Sequence, residues 1–249
     1  MNHMANIDIT KPLLECLKQF KGAPEGDKET RQKALEEDFV LLAKKLLYGG
    51  YYTIGNDYRI EIQTVEFYYH EEEKFNTPNR IYDPIVYHRN GRYPSNKDID
   101  VPPFPIMSLH THQSGIDITF EDQEGKYRAS ALIRAFTVFD YSINEYMGWN
   151  SKETTDGIYK PSKVPEERSQ YIYYYINGFV INGMNNNPIQ WVPTNEADYS
   201  AKLYYGRRKN VFKDKDKKEL DPRKWAFSKY QMKYTHENKE PEEFELLPA

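Results

Sequence analysis

Residues 58–69 read YRIEIQTVEFYY, and the way this stretch alternates decides the fold. Successive side chains of an extended strand point to opposite faces. One face then carries Tyr58, Ile60, Ile62, Thr64, Glu66 and Tyr68; the other carries Arg59, Glu61, Gln63, Val65, Phe67 and Tyr69. Unbroken alternation sets Glu66 on the side of Ile60 and Ile62, a carboxylate on a mostly apolar face near the strand end. A bulge after Thr64 undoes this assignment. An ionised carboxylate in such surroundings is costly without partners. Groups placed like this tend to have a raised pKa and to serve as acid or base.

Outward from this strand, the pattern reads as α+β. Residues 11–21 form a short helix candidate, and 22–26 a turn. Asp27 or Thr30 can cap a longer helix reaching about Tyr48. Its stripe Leu35, Phe39, Leu42, Leu46 is one helical face, most simply packed on a sheet. Gly49–Gly50 ends it. Residues 71–105 are polar and proline-rich, a long surface excursion in which Asp83–Pro84 and His88 stand out. Residues 107–120 and 130–139 read as two strands joined by a polar loop at 121–126. A second helix is expected near 142–149, a loop at 151–167, and a tyrosine-rich strand or helix at 171–180. A Gly/Asn turn cluster follows at 182–187. No internal repeat or clean linker appears. The economical division is an N-terminal arm with a short helix (1–26), one α+β domain (27–236) and an acidic tail (237–249), residues 1–9 being a loose terminus.

Composition narrows the function classes. The chain has 249 residues, 39% hydrophobic and 29% charged, with no apolar run near the ~20 residues of a membrane-spanning helix. A single cysteine, Cys16, excludes a disulfide framework and a cysteine-based zinc cluster. With no signal-peptide pattern opening the chain and one cysteine in it, a cytoplasmic location is the expectation; a monomer is expected as well. Net charge is −4, but residues 207–233 hold eleven Lys/Arg against four Asp/Glu. A local cationic surplus can serve phosphate contact, although a solvated lysine-rich loop is the commoner meaning.

The polar residues with chemical potential fall in three groups: Glu66-Phe67-Tyr68-Tyr69-His70; Asp83, Pro84 and His88; and His110-x-His112 followed by Gly115-x-Asp117. Two imidazoles at alternate strand positions share a face. With Asp117, Glu66 or His88 as third ligand they suit zinc or iron, and a metal-dependent hydrolase or oxygenase is one reading. Metal-free hydrolysis is another: a partly buried Glu66 deprotonates water while aromatic rings clamp a flat substrate. A non-catalytic nucleic-acid or nucleoside binding module is the third. Tyr171, Tyr173, Tyr174, Tyr175, Trp225 and Phe227 read most simply as packing.

The order of short motifs resembles the alkyladenine (3-methyladenine) DNA glycosylase family over about residues 40–230. The stretches are Leu42-Ala43 to Leu46-Leu47-Tyr48-Gly49, Arg59-Ile60-Glu61-Ile62 leading to Val65-Glu66-Phe67-Tyr68, Gly115-Ile116-Asp117-Ile118, Leu132-Ile133-Arg134-Ala135, Gly206-Arg207-Arg208, and Pro222-Arg223-Lys224-Trp225-Ala226-Phe227. The resemblance implies a single-domain, curved, mostly antiparallel sheet or partial barrel with flanking helices. It implies base excision without metal or cofactor, in which a modified nucleotide is flipped out of DNA and its N-glycosidic bond hydrolysed. Glu66 then activates water, Tyr68 stacks on the base, and His88, His110, His112, Asp117 and Arg134 line the pocket. Arg207, Arg208, Lys209, Arg223 and Lys224 contact the DNA backbone. Three departures stand out: Phe67 replaces an Ala, Asp117 replaces an Asn, and Ser108-Leu109-His110-Thr111-His112 replaces a Tyr-rich strand. A repair role and a defence role against modified foreign DNA are equally compatible.

Overall fold

The computed structural model describes residues 7–83, 85–86, 89–90, 100–112, 115–146, 158–159, 189–213, 216 and 218–248. Two helices, α1 (Leu13–Gln19) and α2 (Lys28–Tyr48), precede β1 (Gly50–Ile54) and β2 (Tyr58–Glu71). Then follow β3 (Leu109–His112), β4 (Gly115–Thr119), β5 (Tyr127–Asp140), β6 (Glu145–Tyr146) and β7 (Ile158–Tyr159). The chain continues through β8 (Ile189–Pro193), β9 (Tyr204–Gly206), β10 (Ala226–Ser228), β11 (Gln231–Thr235), β12 (Pro241–Glu243) and β13 (Glu245–Leu246). The main sheet runs β13-β9-β10-β2-β5-β4-β3, with β1 bridging β2 and β8 and β6 attached to β5. A smaller sheet runs β12-β11-β7, and only its β7–β11 pairing is parallel. The architecture is α+β and mostly antiparallel, and the main sheet does not close into a barrel among the described residues.

Helix α2 forms where its caps and stripe dictate. Asp27 Oδ1 accepts the Thr30 N–H (2.9 Å), and at the other end the Gly49 N–H donates to the Lys45 carbonyl (2.9 Å). Leu35, Phe39, Leu42 and Leu46 are all fully buried. Phe39 stacks on Phe67 of β2 with centroids 4.6 Å apart and meets the edge of Trp225 at 5.2 Å. Phe67 therefore faces the helix, where a large ring fills space that an Ala would leave empty.

The central strand is not unbroken. Ile62 pairs with Phe136, Thr64 with Ala135 and Val65 with Ile133, so the register skips Gln63 on β2 and Arg134 on β5. This irregularity reverses the alternation on both strands. Ile60 and Ile62 before it, and Val65, Phe67 and Tyr69 after it, all belong to the helix-facing core. Glu66 therefore lies on the face opposite to Ile60 and Ile62, contrary to the unbroken reading. Tyr68 goes with it and packs with Val86, Leu132 and Val211 in a second, smaller cluster.

Four further expectations are corrected. Residues 107–120 hold two strands, β3 and β4, which reverse between His112 and Gly115. Gly115 has φ +144°, and a Cβ there would come within 2.9 Å of Leu132 Cδ1. The described part of the expected helix at 142–149 is a turn followed by β6, which folds back on β5. There Asp140 Oδ1 accepts the Ser142 N–H (2.8 Å) and hydroxyl (2.6 Å), and Asn144 takes a left-handed φ of 55°. Near the N-terminus, Ile7 is buried in the core with Leu13, Cys16 and Leu17. At the other end, β12 and β13 pair with β11 and β9, and Phe244 between them is buried, so the acidic segment is built into the sheets. The expectations at 171–180 and 182–187, and nearly all of 151–167, lie outside the described residues.

The entry to α2 depends on a buried cluster behind Tyr69. Its hydroxyl donates to Glu71 Oε1 (2.9 Å) and accepts the Ala23 N–H (3.0 Å), while Glu71 is gripped by Arg31 at 2.5 and 3.1 Å. Gly22, at φ +76°, passes so close that a Cβ would lie 2.7 Å from the Tyr69 oxygen and 2.8 Å from the Tyr127 ring. Gly22→Ala is expected to destabilise the fold by about 1–3 kcal/mol. A lowered urea midpoint with unchanged slope is the expected reading, and an unchanged midpoint refutes it.

Candidate functional site

Beyond the irregularity, β2 presents Glu66, Tyr68 and His70 to the face away from the helices. Pairing extends this face sideways. Glu66 is opposite Leu132 on β5, Leu132 opposite Asp117 on β4, and Asp117 opposite His110 on β3. Directly opposed residues share a face. At the usual strand spacing, the Glu66 and Asp117 backbones are therefore roughly 10 Å apart. The chain around Val86 and Val211 covers part of the row.

Glu66 is 2% exposed and holds three contacts. Its Oε2 accepts the Tyr68 hydroxyl at 2.8 Å, and its Oε1 accepts the Lys209 N–H at 2.8 Å. Arg134 Nε stands 2.8 Å from Oε2 as an ion pair, without the N–H alignment of a hydrogen bond. Arg134 is the β5 residue skipped by the register, and its side chain remains 27% exposed. Burial and the Glu66 charge drive the Tyr68 phenol well above its ordinary pKa, so it acts as a neutral donor. The Lys209 ammonium is lowered by partial desolvation and by nearby Arg134, although the residue as a whole is exposed. Asp117 is buried and accepts the Ser130 hydroxyl at 3.2 Å, and the His110 ring lies 4.4 Å from that of Phe104.

Glu66, Tyr68 and Arg134 thus meet, and Asp117 and His110 share their face. His88 and the side chain of His112 lie outside the described residues. Among the described residues, no group of three or more His, Cys, Asp or Glu is placed to hold a metal ion. No described helix is long and apolar enough to cross a membrane.

The cations expected on a DNA backbone are mostly engaged inside the protein. Arg207 Nε binds Glu242 (2.6 Å) and its Nη1 binds Glu240 (3.1 Å). Lys224 pairs with Glu245 at 2.8 Å. Arg208 is fully buried, bound to Asp83 at 2.5 Å, to Asp221 at 2.9 Å and to the Phe67 carbonyl at 3.2 Å. Its guanidinium lies over the Tyr68 ring (4.7 Å) and the Trp225 ring (5.2 Å). Arg223 clasps Asp221 and lies 4.3 Å from the Trp225 centroid. For Arg208 this corrects the expectation of phosphate contact, because no phosphate reaches a guanidinium sealed between two rings. Burial raises the Asp221 carboxyl, but hydrogen bonds from Arg223 and the charge of Arg208 outweigh it and hold the pKa at about 2.

This Arg208–Asp83–Asp221–Arg223 network escaped the sequence reading, although a signal was present. Both acids belong to Asp-Pro dipeptides, and each side chain accepts the N–H two residues on: Ile85 at 3.4 Å and Arg223 at 3.0 Å. That turn leaves the second carboxylate oxygen aimed at an arginine. Lys209 contributes its backbone N–H to Glu66, a role that no side-chain pattern signals.

No family model matches the chain, and neither a curated protein nor a solved structure matches it.

His70 continues the same face, 2% exposed, with Nδ1 accepting the Asp83 N–H (3.3 Å) and Nε2 3.9 Å from Glu72. Burial, aided by Arg89, pulls its pKa down to about 3. Between that value and the ordinary ~6.5, the unfolded chain binds more protons than the folded one. The stability His70 contributes is present above pH ~6.5 and declines by up to ~1.4 kcal/mol per unit as pH falls toward 3. His236 is lowered in the same direction, whereas burial pushes Glu121 up to about 7, which acts in the opposite sense. The comparison with His70→Gln isolates His70. Urea midpoints measured from pH 7 to 4.5 should fall less steeply for the variant, and parallel curves would refute the assignment.

Proposed function

We propose that the chain hydrolyses the N-glycosidic bond of a modified base flipped out of DNA, with Glu66 as general base. The observation that carries this reading is the meeting of Glu66, Tyr68 and Arg134 at one carboxylate oxygen on the sheet face away from the helices. These are the residues to which the family resemblance assigns water activation, base stacking and pocket lining. In the reaction, Glu66 takes a proton from water as its oxygen bonds to the sugar C1′. The C1′–N bond breaks, its electron pair leaves with the base, and the carboxyl proton passes to the base or to solvent. The products are a free base and an abasic sugar. Tyr68, held neutral, keeps Glu66 oriented. Arg134 adds positive charge where the carboxylate must remain ionised at the start of the step.

A second reading, a non-catalytic nucleic-acid-binding relative, is favoured by one observation. Both Glu66 oxygens already hold donors, which leaves the carboxylate occupied without any substrate water. Abasic-site formation on alkylated duplex DNA separates the two. The first reading expects release by the wild-type protein and a loss of roughly 10²–10⁴-fold in Glu66→Gln. Equal release by the variant removes Glu66 from the chemistry. Salt-sensitive DNA binding without release from any substrate tested establishes the second reading.

A further inference from the structure

We propose that Arg134 and Lys209 form a phosphate site beside Glu66, and that a phosphodiester seated there draws Arg134 off the carboxylate. The first half stands on the geometry alone; the second rests on Glu66 acting as the general base.

The argument starts from where the positive charge is spent. Arg207, Arg208, Arg223 and Lys224 each have a carboxylate within 3.1 Å. Lys209 differs. Its amide serves Glu66, while its ammonium rests 5.6 Å from the Tyr234 ring centroid and makes no ion pair among the described residues. Arg134 has Glu66 as its one carboxylate there, and its Nη2 reaches the Lys209 carbonyl at 3.5 Å. Glu66 therefore balances Arg134 alone, and the Lys209 ammonium adds a positive charge that no described carboxylate offsets. A guanidinium touching the backbone of a residue whose ammonium has no counter-charge favours an anion beside the two.

The clamp is also rigid. Asn210 takes a left-handed φ of 58°, its N–H donates to His236 Nδ1 (3.0 Å), and its side-chain oxygen accepts the Glu237 N–H (3.0 Å). On the other side of Lys209, Arg208 is locked in its buried network. Lys209 is thus presented from a backbone turn pinned at both ends, so only its side chain needs ordering when an anion binds. A guanidinium fork together with an ammonium matches the several oxygens of a phosphate better than the two of a carboxylate. DNA places a phosphate on either side of any flipped nucleotide. No covalent bond changes when Arg134 exchanges one anion for the other. Glu66 keeps the Tyr68 and Lys209 donors and regains a place on Oε2 for water.

The test titrates the full chain with inorganic phosphate, and with acetate at matched ionic strength. The readouts are the Arg134 Nε–H NMR signal, identified by its loss in Arg134→Lys, and the thermal midpoint. The expected result is saturable movement of that signal and a rise in midpoint with phosphate but not with acetate. Lys209→Gln should weaken phosphate binding about tenfold. Lys213→Gln, a surface lysine paired with Glu219, should leave it unchanged. No saturation in the wild-type protein, or unchanged affinity in Lys209→Gln, overturns the site. The abasic-site assay separates this outcome from the excision reading. Saturable phosphate binding without base release leaves the clamp and removes excision. Glu66-dependent release without saturable phosphate binding removes the clamp and leaves excision.

Discussion

The register skip at Gln63 and Arg134 lets one pair of strands do two jobs. Before it, β2 points Ile60 and Ile62 at the helices; after it, Val65, Phe67 and Tyr69 take over that side. The extra residue on each strand moves Glu66, Tyr68 and His70 to the opposite face without breaking the apolar seam. Because β2 and β5 slip together, the ladder resumes with Glu66 opposite Leu132. Arg134, left out of the pairing, is free of ladder constraints and stands beside Glu66. Without the skip, the carboxylate would be driven into the apolar core around Phe39 and Phe67.

The price of this arrangement is a face rich in buried charge. Desolvating an ion costs several kcal/mol unless geometry and hydrogen bonds compensate. Here each acid has specific donors: Glu66 has Tyr68, Lys209 and Arg134, while Asp83 and Asp221 have Arg208, with Arg223 closing over Asp221. Farther along, Arg128 is buried between Glu72 and Glu121 at 2.9 Å each. Such pairs add little stability compared with an apolar core, but removing one partner strands a charge. They act as rigid posts, and the Glu66 environment inherits their precision.

The C-terminal acids and the preceding cations form one system. Read along the chain, a basic segment and an acidic segment look like separate surfaces. Folded, Arg207 meets Glu240 and Glu242, Lys224 meets Glu245 and Lys233 meets Glu243. Exposed pairs of this kind contribute little energy, yet they neutralise most of the local surplus. Among the described residues of that segment, Lys209 and Lys229 have no carboxylate partner, and of the two it is Lys209 that lies beside Arg134.

By itself the sequence determined α2, its caps and its buried stripe, the existence of β2 and β5, and the polar loop between β4 and β5. Helical period, capping groups and turn residues act within a few residues of one another, so they are legible without a partner. The family resemblance also pointed to Glu66, Tyr68 and Arg134, within a longer list that held His88, His110, His112 and Asp117 as well. Which face Glu66 takes was decided only by the tertiary structure, because the pairing with β5 sets where the register steps, and one such step reverses the alternation. The division of 107–120 into β3 and β4 and the pairing of each arginine were likewise settled in three dimensions. Asp83 and Asp221 reach Arg208 from distant parts of the chain, and Coulomb attraction depends on distance through space, which no local pattern records.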